Sequence, residues 1–534
     1  MKHDQSLINQ LTVAARRGNI SRREFLSKAT ALGVSTSLAS GVWGAKAFAQ
    51  PQRGGTFRWG IHDGNTGDTH DPGTYVSRQQ IYLAHQHRSY LTLIEPDNSL
   101  GPDLATDWEA TINVAQWTFR LNDKATFHSG KPVTSRDVIA SLNHHRGDAS
   151  TSAAKSLLAD VDEVVADGDH TIVIKLLRGN ADIPWLMTDY HFAICPARDD
   201  GSIDWESGDG SGPFRIDRGE FGVQWELSRH DGWHLDGPNF DKLEMLVLND
   251  PDARQSALVS GDVDAVSLVD LKSMDMLEQR ADIEIDNVPS GAAVTLPMHC
   301  DTAPFDDVNV RNALKLAINR EEIVERNAFG TATIGNDFHI APVQPYWPED
   351  IPQREYDPEK ARALLKKAGH ENLEVSISTA ESLFSGAVDM CALFAEQAQA
   401  AGIKINVVRE PNDGYYSNVW LKKPFCAVSW GARPTPDVMF TLAYASNAVW
   451  NESRWTNLRF NELLVRSKGA LDDSLRAEMY HEMSMLMRDD GGTIIPFFNN
   501  FVYARSQRVQ HGEKLAANWE CDGARAPSRW WFAG

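Results

Sequence analysis

The chain has 534 residues, 42% of them hydrophobic and 23% charged, with a formal net charge of −21. That length exceeds what one hydrophobic core supports, since single cores stop growing at roughly 250–300 residues, and the polar balance excludes a polytopic membrane protein. Residues 1–49 hold seven Lys/Arg against two Asp/Glu, leaving 45 against 71 on the remainder, a surface that repels nucleic acid and anionic headgroups.

The first predicted element is a targeting segment over residues 16–49. Arg16, Arg17, Arg22 and Arg23 precede a weakly apolar run from Ala29 to Ala45, and Ala47-Phe48-Ala49 is a small-x-small site that places cleavage after Ala49. The apolar run is diluted by Ser, Thr and Gly and falls short of the roughly 20 residues a membrane span needs. Ser21-Arg22-Arg23-Glu24-Phe25-Leu26-Ser27-Lys28 resembles the twin-arginine export signal, which implies the twin-arginine machinery as a partner and a periplasmic product. The cysteines (Cys195, Cys300, Cys391, Cys426, Cys521) are widely spaced, odd in number and form no C-x-x-C pair, so neither a disulfide framework nor a structural zinc site is expected. None directly follows the cleavage site, so no lipid anchor is expected.

Gly54-Gly55-Thr56-Phe57-Arg58-Trp59-Gly60 alternates apolar and polar residues and predicts a strand with one buried face, leading into the turn Thr69-His70-Asp71-Pro72-Gly73. Trp117-Thr118-Phe119-Arg120-Leu121 predicts another half-buried strand. A helix is expected from Ser135, with Ser135 at the N-cap and Val138 and Leu142 on its apolar side. Gly208-Asp209-Gly210-Ser211-Gly212-Pro213-Phe214 reads as a turn that permits close backbone approach, followed by a strand over Phe214 to Asp217; no Gly-Lys-Ser/Thr makes it a phosphate loop. One helix is expected over Val308 to Ala328, a second over Pro358 to Ala368 between Pro and Gly369, and a third ending at Gly402 before a strand over Ile403 to Val408. Elements alternate without a fixed period, which excludes a solenoid and favours an α/β or α+β body.

Seven motifs then fall in order: Gly54-Gly55-Thr56 with Asp71-Pro72; Leu104-Ala105, Trp108 and Trp117-Thr118-Phe119; Phe127-His128-Ser129-Gly130-Lys131-Pro132 with Asp137-Val138; Gly210-Ser211-Gly212-Pro213-Phe214; Ala257-Leu258 with Gly261-Asp262-Val263-Asp264; Val310-Arg311 with Ala317-Ile318-Asn319-Arg320; and Tyr356-Asp357-Pro358-Glu359-Lys360-Ala361. Together they resemble the peptide-type solute-binding proteins of bacterial ABC importers, the group with oligopeptide-, dipeptide- and nickel-binding members. The resemblance implies a two-lobed periplasmic binding protein fold of α/β (α+β) class, with an extra α/β domain and a hinge-closed interlobe cleft. It assigns 50–85, 205–295 and 500–534 to lobe I, 86–204 to the extra domain and 296–499 to lobe II. A monomer that carries a small solute to ABC permease subunits is expected, with no cofactor and no nucleic acid. The alternative is a nickel-complex or haem carrier of the same fold, with a secreted hydrolase behind it.

In peptide-binding relatives a Gly-Trp-x-x-Asp stretch lines the cleft and its Asp takes the ligand's α-ammonium. The stretch here is Ser429-Trp430-Gly431-Ala432-Arg433, and Arg433 inverts the charge. A guanidinium suits a carboxylate, so the ligand is expected to be an opine, sugar acid or acidic peptide; the competing reading pairs Arg433 with Asp437 as wall structure. Asp437 is also a candidate for the ammonium role. Among the nearby aromatics Trp430 is the expected ligand contact, with Tyr416, Trp450, Asn451 and the Asp71–Thr74 turn as further candidates. No Gly-x-Ser-x-Gly, His-Glu-x-x-His or kinase set marks an enzyme. His85/His87 have poor spacing for metal ligation, and the adjacent His144/His145 are expected on solvated surface.

Overall fold

The computed structural model describes residues 52–534 apart from 382, 385, 413 and 414, so the targeting segment lies outside the described residues. The opening strand spans Thr56–Ile61, and its alternation buries Phe57, Trp59 and Ile61 completely. Phe57 stacks on Phe240 with centroids 4.7 Å apart. The strand pairs in parallel with Lys242–Val247 and with Ala265–Val266, at the middle of a 10-stranded sheet.

That sheet is shared by two bodies, and one strand accounts for the sharing. Ile283–Pro297 is 15 residues long and, at about 3.3 Å per residue, spans about 50 Å. It pairs antiparallel with Phe497–Ser506 along most of its length, and the register shifts between Val288 and Ala292. Before the shift Ile283 joins a core with Val263, Val502 and Ala504; after it Val294 and Leu296 enter a different core. The bulge holds Pro289, which has no N–H to donate, and Ser290, whose hydroxyl donates to Asn499 O at 2.6 Å and accepts from Ala292 N at 3.1 Å.

The hydrophobic core therefore comes in pieces. The first lobe gathers Phe57, Trp59, Leu243 and Met245 with Tyr503 and Trp530 from the C-terminus. The second lobe is built between Val294 and Phe497. A separate core from Leu91 to Ile194 belongs to an extra domain, whose antiparallel sheet runs in the order Ala105–Ala110, Gln116–Leu121, Thr171–Leu176, Val161–Ala166.

Several local expectations change. The helix Ser135–His144 is capped by Thr134, one residue earlier than expected, because Asp137 closes a capping box back onto Thr134 N at 2.8 Å. The expected helix over 308–328 is two, Val308–Leu316 and Arg320–Asn327, broken where Asn319 accepts from Glu322 N at 3.0 Å and starts the second. Pro358–Ala368 keeps its expected bounds, with Gly369 in the left-handed conformation at φ 76°. The strand after the glycine turn runs on to Glu220. What the turn approaches is the end of the helix Arg78–His87: a Cβ on Gly210 would lie 1.8 Å from His87 O and one on Gly212 2.6 Å from Arg88 N. His145 is not solvated surface, and His144 is only partly exposed. His144 bonds Asp71 at 2.7 Å, and His145 is buried with Nδ1 2.6 Å from Ser152 Oγ. All five cysteines are free thiols.

Candidate functional site

Arg433 lies on the loop that joins the strand Val428–Trp430 to the helix Pro436–Ala443. The strand is anchored to Ala293–Thr295 of the long strand, so the loop leaves directly from the second lobe's edge of the shared sheet. Arg433 is half-buried, and its Nη1 donates to the carbonyls of Gly431 (3.2 Å) and Ala432 (3.0 Å). Among the described residues it forms no ion pair. Asp437, the partner in one reading of the sequence, is buried and faces Lys468 Nζ at 3.6 Å. Burial pushes the Asp437 carboxyl up to about 6, against the pull of Lys468 and with the field of Asp182 adding to it.

Arg433 lies within electrostatic range of Asp189 and Tyr190 of the extra domain. Burial lowers its proton affinity, while Tyr190 and Asp189 of the opposite wall raise it. Asp189 is held below the ordinary carboxylate range: burial raises it, but the side-chain and backbone hydrogen bonds and the charge of His191, with a smaller pull from Arg433, outweigh that. His339 is pushed down to about 3 by burial and then by Arg433. The loop is also tied to the hinge, since Gln344 Nε2 donates to Arg433 O at 2.9 Å while its Oε1 accepts from Ala341 N at 2.8 Å. Gln344 packs against the bulge, where a Cβ on Gly291 would meet it at 3.1 Å. Opposite, Tyr190 meets Trp519 edge-on at 5.4 Å, and Arg78 lies 4.8 Å over Trp519 while pairing with Glu520. Beside the bulge the lobes part in an open groove of about 350 Å³ that includes Asn98, Asn287, Pro289, Val343 and Lys514.

The aromatic candidates form one cluster. Trp420, Trp430 and Trp450 touch pairwise with centroids 6.0 Å apart, and Tyr416 meets Trp420 at 5.7 Å. Trp430 is 5% exposed, whereas Trp450 is 38% and Tyr416 48% exposed, so the accessible rings are the latter two. Beneath them lies Glu452, which sequence reasoning passed over. It accepts from Thr295 Oγ1 (2.7 Å), Trp420 Nε1 (2.8 Å) and Trp430 Nε1 (3.1 Å), and burial raises its carboxyl to about 7.

The remaining candidates are occupied. Asn451 is buried and its amide donates to Trp455 O (2.8 Å) and Ala445 O (3.4 Å), which makes it a fastener of its own loop. Asp71 caps the turn Pro72–Thr74, accepting from Gly73 N at 2.8 Å as well as from His144. Thr74 is exposed and donates to Asp71 O at 2.9 Å. This turn sits one layer behind the Asp189–Tyr190 wall, joined to it by His191 Nε2 at 3.1 Å from Tyr75 O. Among the described residues no group of three or more His, Cys, Asp or Glu is placed to hold a metal, and no helix is long and apolar enough to cross a membrane.

Two lobes on one sheet, crossed by a bulged strand pair and facing each other over a cleft with a cationic loop, define a hinged solute-binding protein. The chain belongs to the bacterial extracellular solute-binding proteins, family 5, whose middle region matches residues 99–452. It is 22% identical over 436 residues to the dipeptide-binding protein of Escherichia coli K12, covering 74% of this chain and 80% of that one. The structure resembles the periplasmic binding protein DppA from Helicobacter pylori in complex with the peptide STSA (TM-score 0.73, 18% identity, 90% of this chain and 99% of that one). It also resembles AgaA from A. tumefaciens R10 in complex with agropinic acid (TM-score 0.72, 20% identity, 90% and 99%).

Proposed function

We propose that this protein is the receptor subunit of an ABC importer whose ligand carries an acid group: an opine, a sugar acid or an acidic peptide. The observation that carries this reading is Arg433, a half-buried cation of the second lobe with no ion-pair partner among the described residues, in the field of Asp189 and Tyr190 of the extra domain. A guanidinium in a partly desolvated site gains most from a carboxylate that binds both of its donor edges. The agropinic acid complex of AgaA supports the view that this scaffold accepts acid solutes. Tyr416 and Trp450 supply exposed rings for a sugar or flat group at the second lobe's aromatic cluster. The domain assignment is 50–85, 205–295 and 500–534 for lobe I, 86–204 for the extra domain and 296–499 for lobe II. Export by the twin-arginine route with cleavage after Ala49 places the monomer in the periplasm, where it binds and releases its solute without chemical change.

The mature protein is tested by thermal shift and calorimetry against agropinic acid, gluconate, Glu-Glu, Met-Leu and Ni²⁺. An acid solute raises the melting temperature with concentration as RT ln(1 + [L]/Kd) requires, and Arg433→Asp weakens its binding by about 100-fold, or about 2.7 kcal/mol. Equal affinity of wild type and Arg433→Asp for the acid solute sinks the proposal.

A further inference from the structure

The extra domain is fastened to the first lobe by several independent bonds. His128 N donates to Gly210 O at 2.7 Å and Ser89 Oγ to Ser211 O at 3.0 Å. Asp103, wholly buried, receives His234 Nε2 at 2.8 Å and Arg525 Nη2 at 3.4 Å. The two therefore move as one body.

Toward the second lobe the extra domain reaches through one corner. Ala181 N donates to Lys468 O at 2.8 Å, and the next residue, Asp182, accepts from Arg476 Nη2 at 2.6 Å through one oxygen and from Thr435 Oγ1 at 3.0 Å through the other. The Asp182 and Arg476 side chains are 3% and 5% exposed. Arg476 is itself held by Tyr346 OH at 2.9 Å and lies 4.9 Å over the Tyr346 ring. An ion pair this buried is costly to split without water, so any parting of the lobes at this corner requires its rehydration.

Thr435 adds the link to the site. It stands at the N-cap position of Pro436–Ala443, yet its hydroxyl does not cap that helix and serves Asp182 instead. It lies two residues beyond Arg433 on the same short loop. We propose that Asp182 is a positioning residue: its carboxylate holds the closed state from outside the ligand site and, through Thr435, fixes the Arg433 loop as the lobes meet. The inference builds on the reading of Arg433 above only for what the loop does when fixed.

The test needs no ligand. In the mature protein Ala181→Cys and Lys468→Cys put two thiols where the backbones already meet, and the rate of disulfide formation counts visits to the closed state. All variants share this background. Oxidised protein gives a smaller radius of gyration in X-ray scattering than reduced protein. Asp182→Asn slows trapping at least tenfold and Thr435→Val at least threefold, whereas Glu163→Gln on the exposed outer sheet leaves the rate unchanged; melting curves establish that each variant is folded. Should Asp182→Asn fail to fold, Thr435→Val decides alone. An unchanged rate in the folded variants, no disulfide, or identical scattering of oxidised and reduced protein overturns the proposal. Because no solute is added, a wrong ligand class leaves this outcome untouched.

Discussion

Glu452 gives a sharp thermodynamic prediction because it is an acid without a cationic partner among the described residues. It is 1% exposed, accepts three hydrogen bonds and still has its carboxyl raised by burial from 4.5 to about 7. A group that holds its proton more tightly folded than unfolded favours folding fully below the unfolded value, and that contribution is lost as pH rises through the folded value. The difference of about 2.5 units corresponds to about 3 kcal/mol, lost between pH 4.5 and just above 7. Glu452→Gln keeps one acceptor oxygen for Trp420 and Trp430, turns an N–H donor toward the Thr295 hydroxyl and cannot ionise. Urea unfolding followed by tryptophan fluorescence, at pH 4.5, 6, 7 and 8, gives the stability of each protein. The wild type minus Glu452→Gln difference is expected to fall by about 3 kcal/mol across that range while the other ionisable groups cancel. A difference that stays flat with pH refutes the reasoning, since it means Glu452 titrates alike in both states or its charge is compensated.

Two further outcomes follow from backbone geometry. Gly210→Ala brings a Cβ to 1.8 Å from His87 O, so the turn or the helix end must move, and a loss of at least about 3 kcal/mol is expected by denaturant melt; a loss below 1 kcal/mol contradicts the close approach. Asn319→Ala removes the cap that starts Arg320–Asn327 and is expected to cost about 1 kcal/mol in the same assay, with Asn319→Asp recovering most of it.

What the sequence reveals depends on the range of the physics. Alternation over six residues is enough to place Thr56–Ile61 and Gln116–Leu121, and Pro358 with Gly369 frames a helix, because both signals act within a turn or a pleat. The break at 317–319 is hidden by apolar periodicity that continues through it, although Asn319 with Glu322 three residues on is a start signal that periodicity overrode. The unusual charge of Arg433 is visible in the sequence, but the absence of Asp437 as its partner is not, since Lys468 reaches Asp437 from a different helix. Glu452 and Asp182 are unreadable for the same reason: their partners Thr295 and Arg476 are 157 and 294 positions away, and only the folded chain brings them together.

The pairing of Ile283–Pro297 with Phe497–Ser506 also sets an order of events at the ribosome. Phe57, in the first strand, packs 6.4 Å from Trp530, more than 470 positions later, and the sheet between them awaits Phe497–Ser506. The first lobe therefore stays open until Phe497–Ser506 and Trp530 have been made, with its strand edges and aromatic side chains exposed until then. A nascent chain of this kind depends on chaperones until its tail arrives, and a C-terminal truncation of thirty residues unfolds the lobe that was made first. Translocation of an already folded molecule, as the twin-arginine leader proposed above would provide, lets that late closure finish in the cytoplasm.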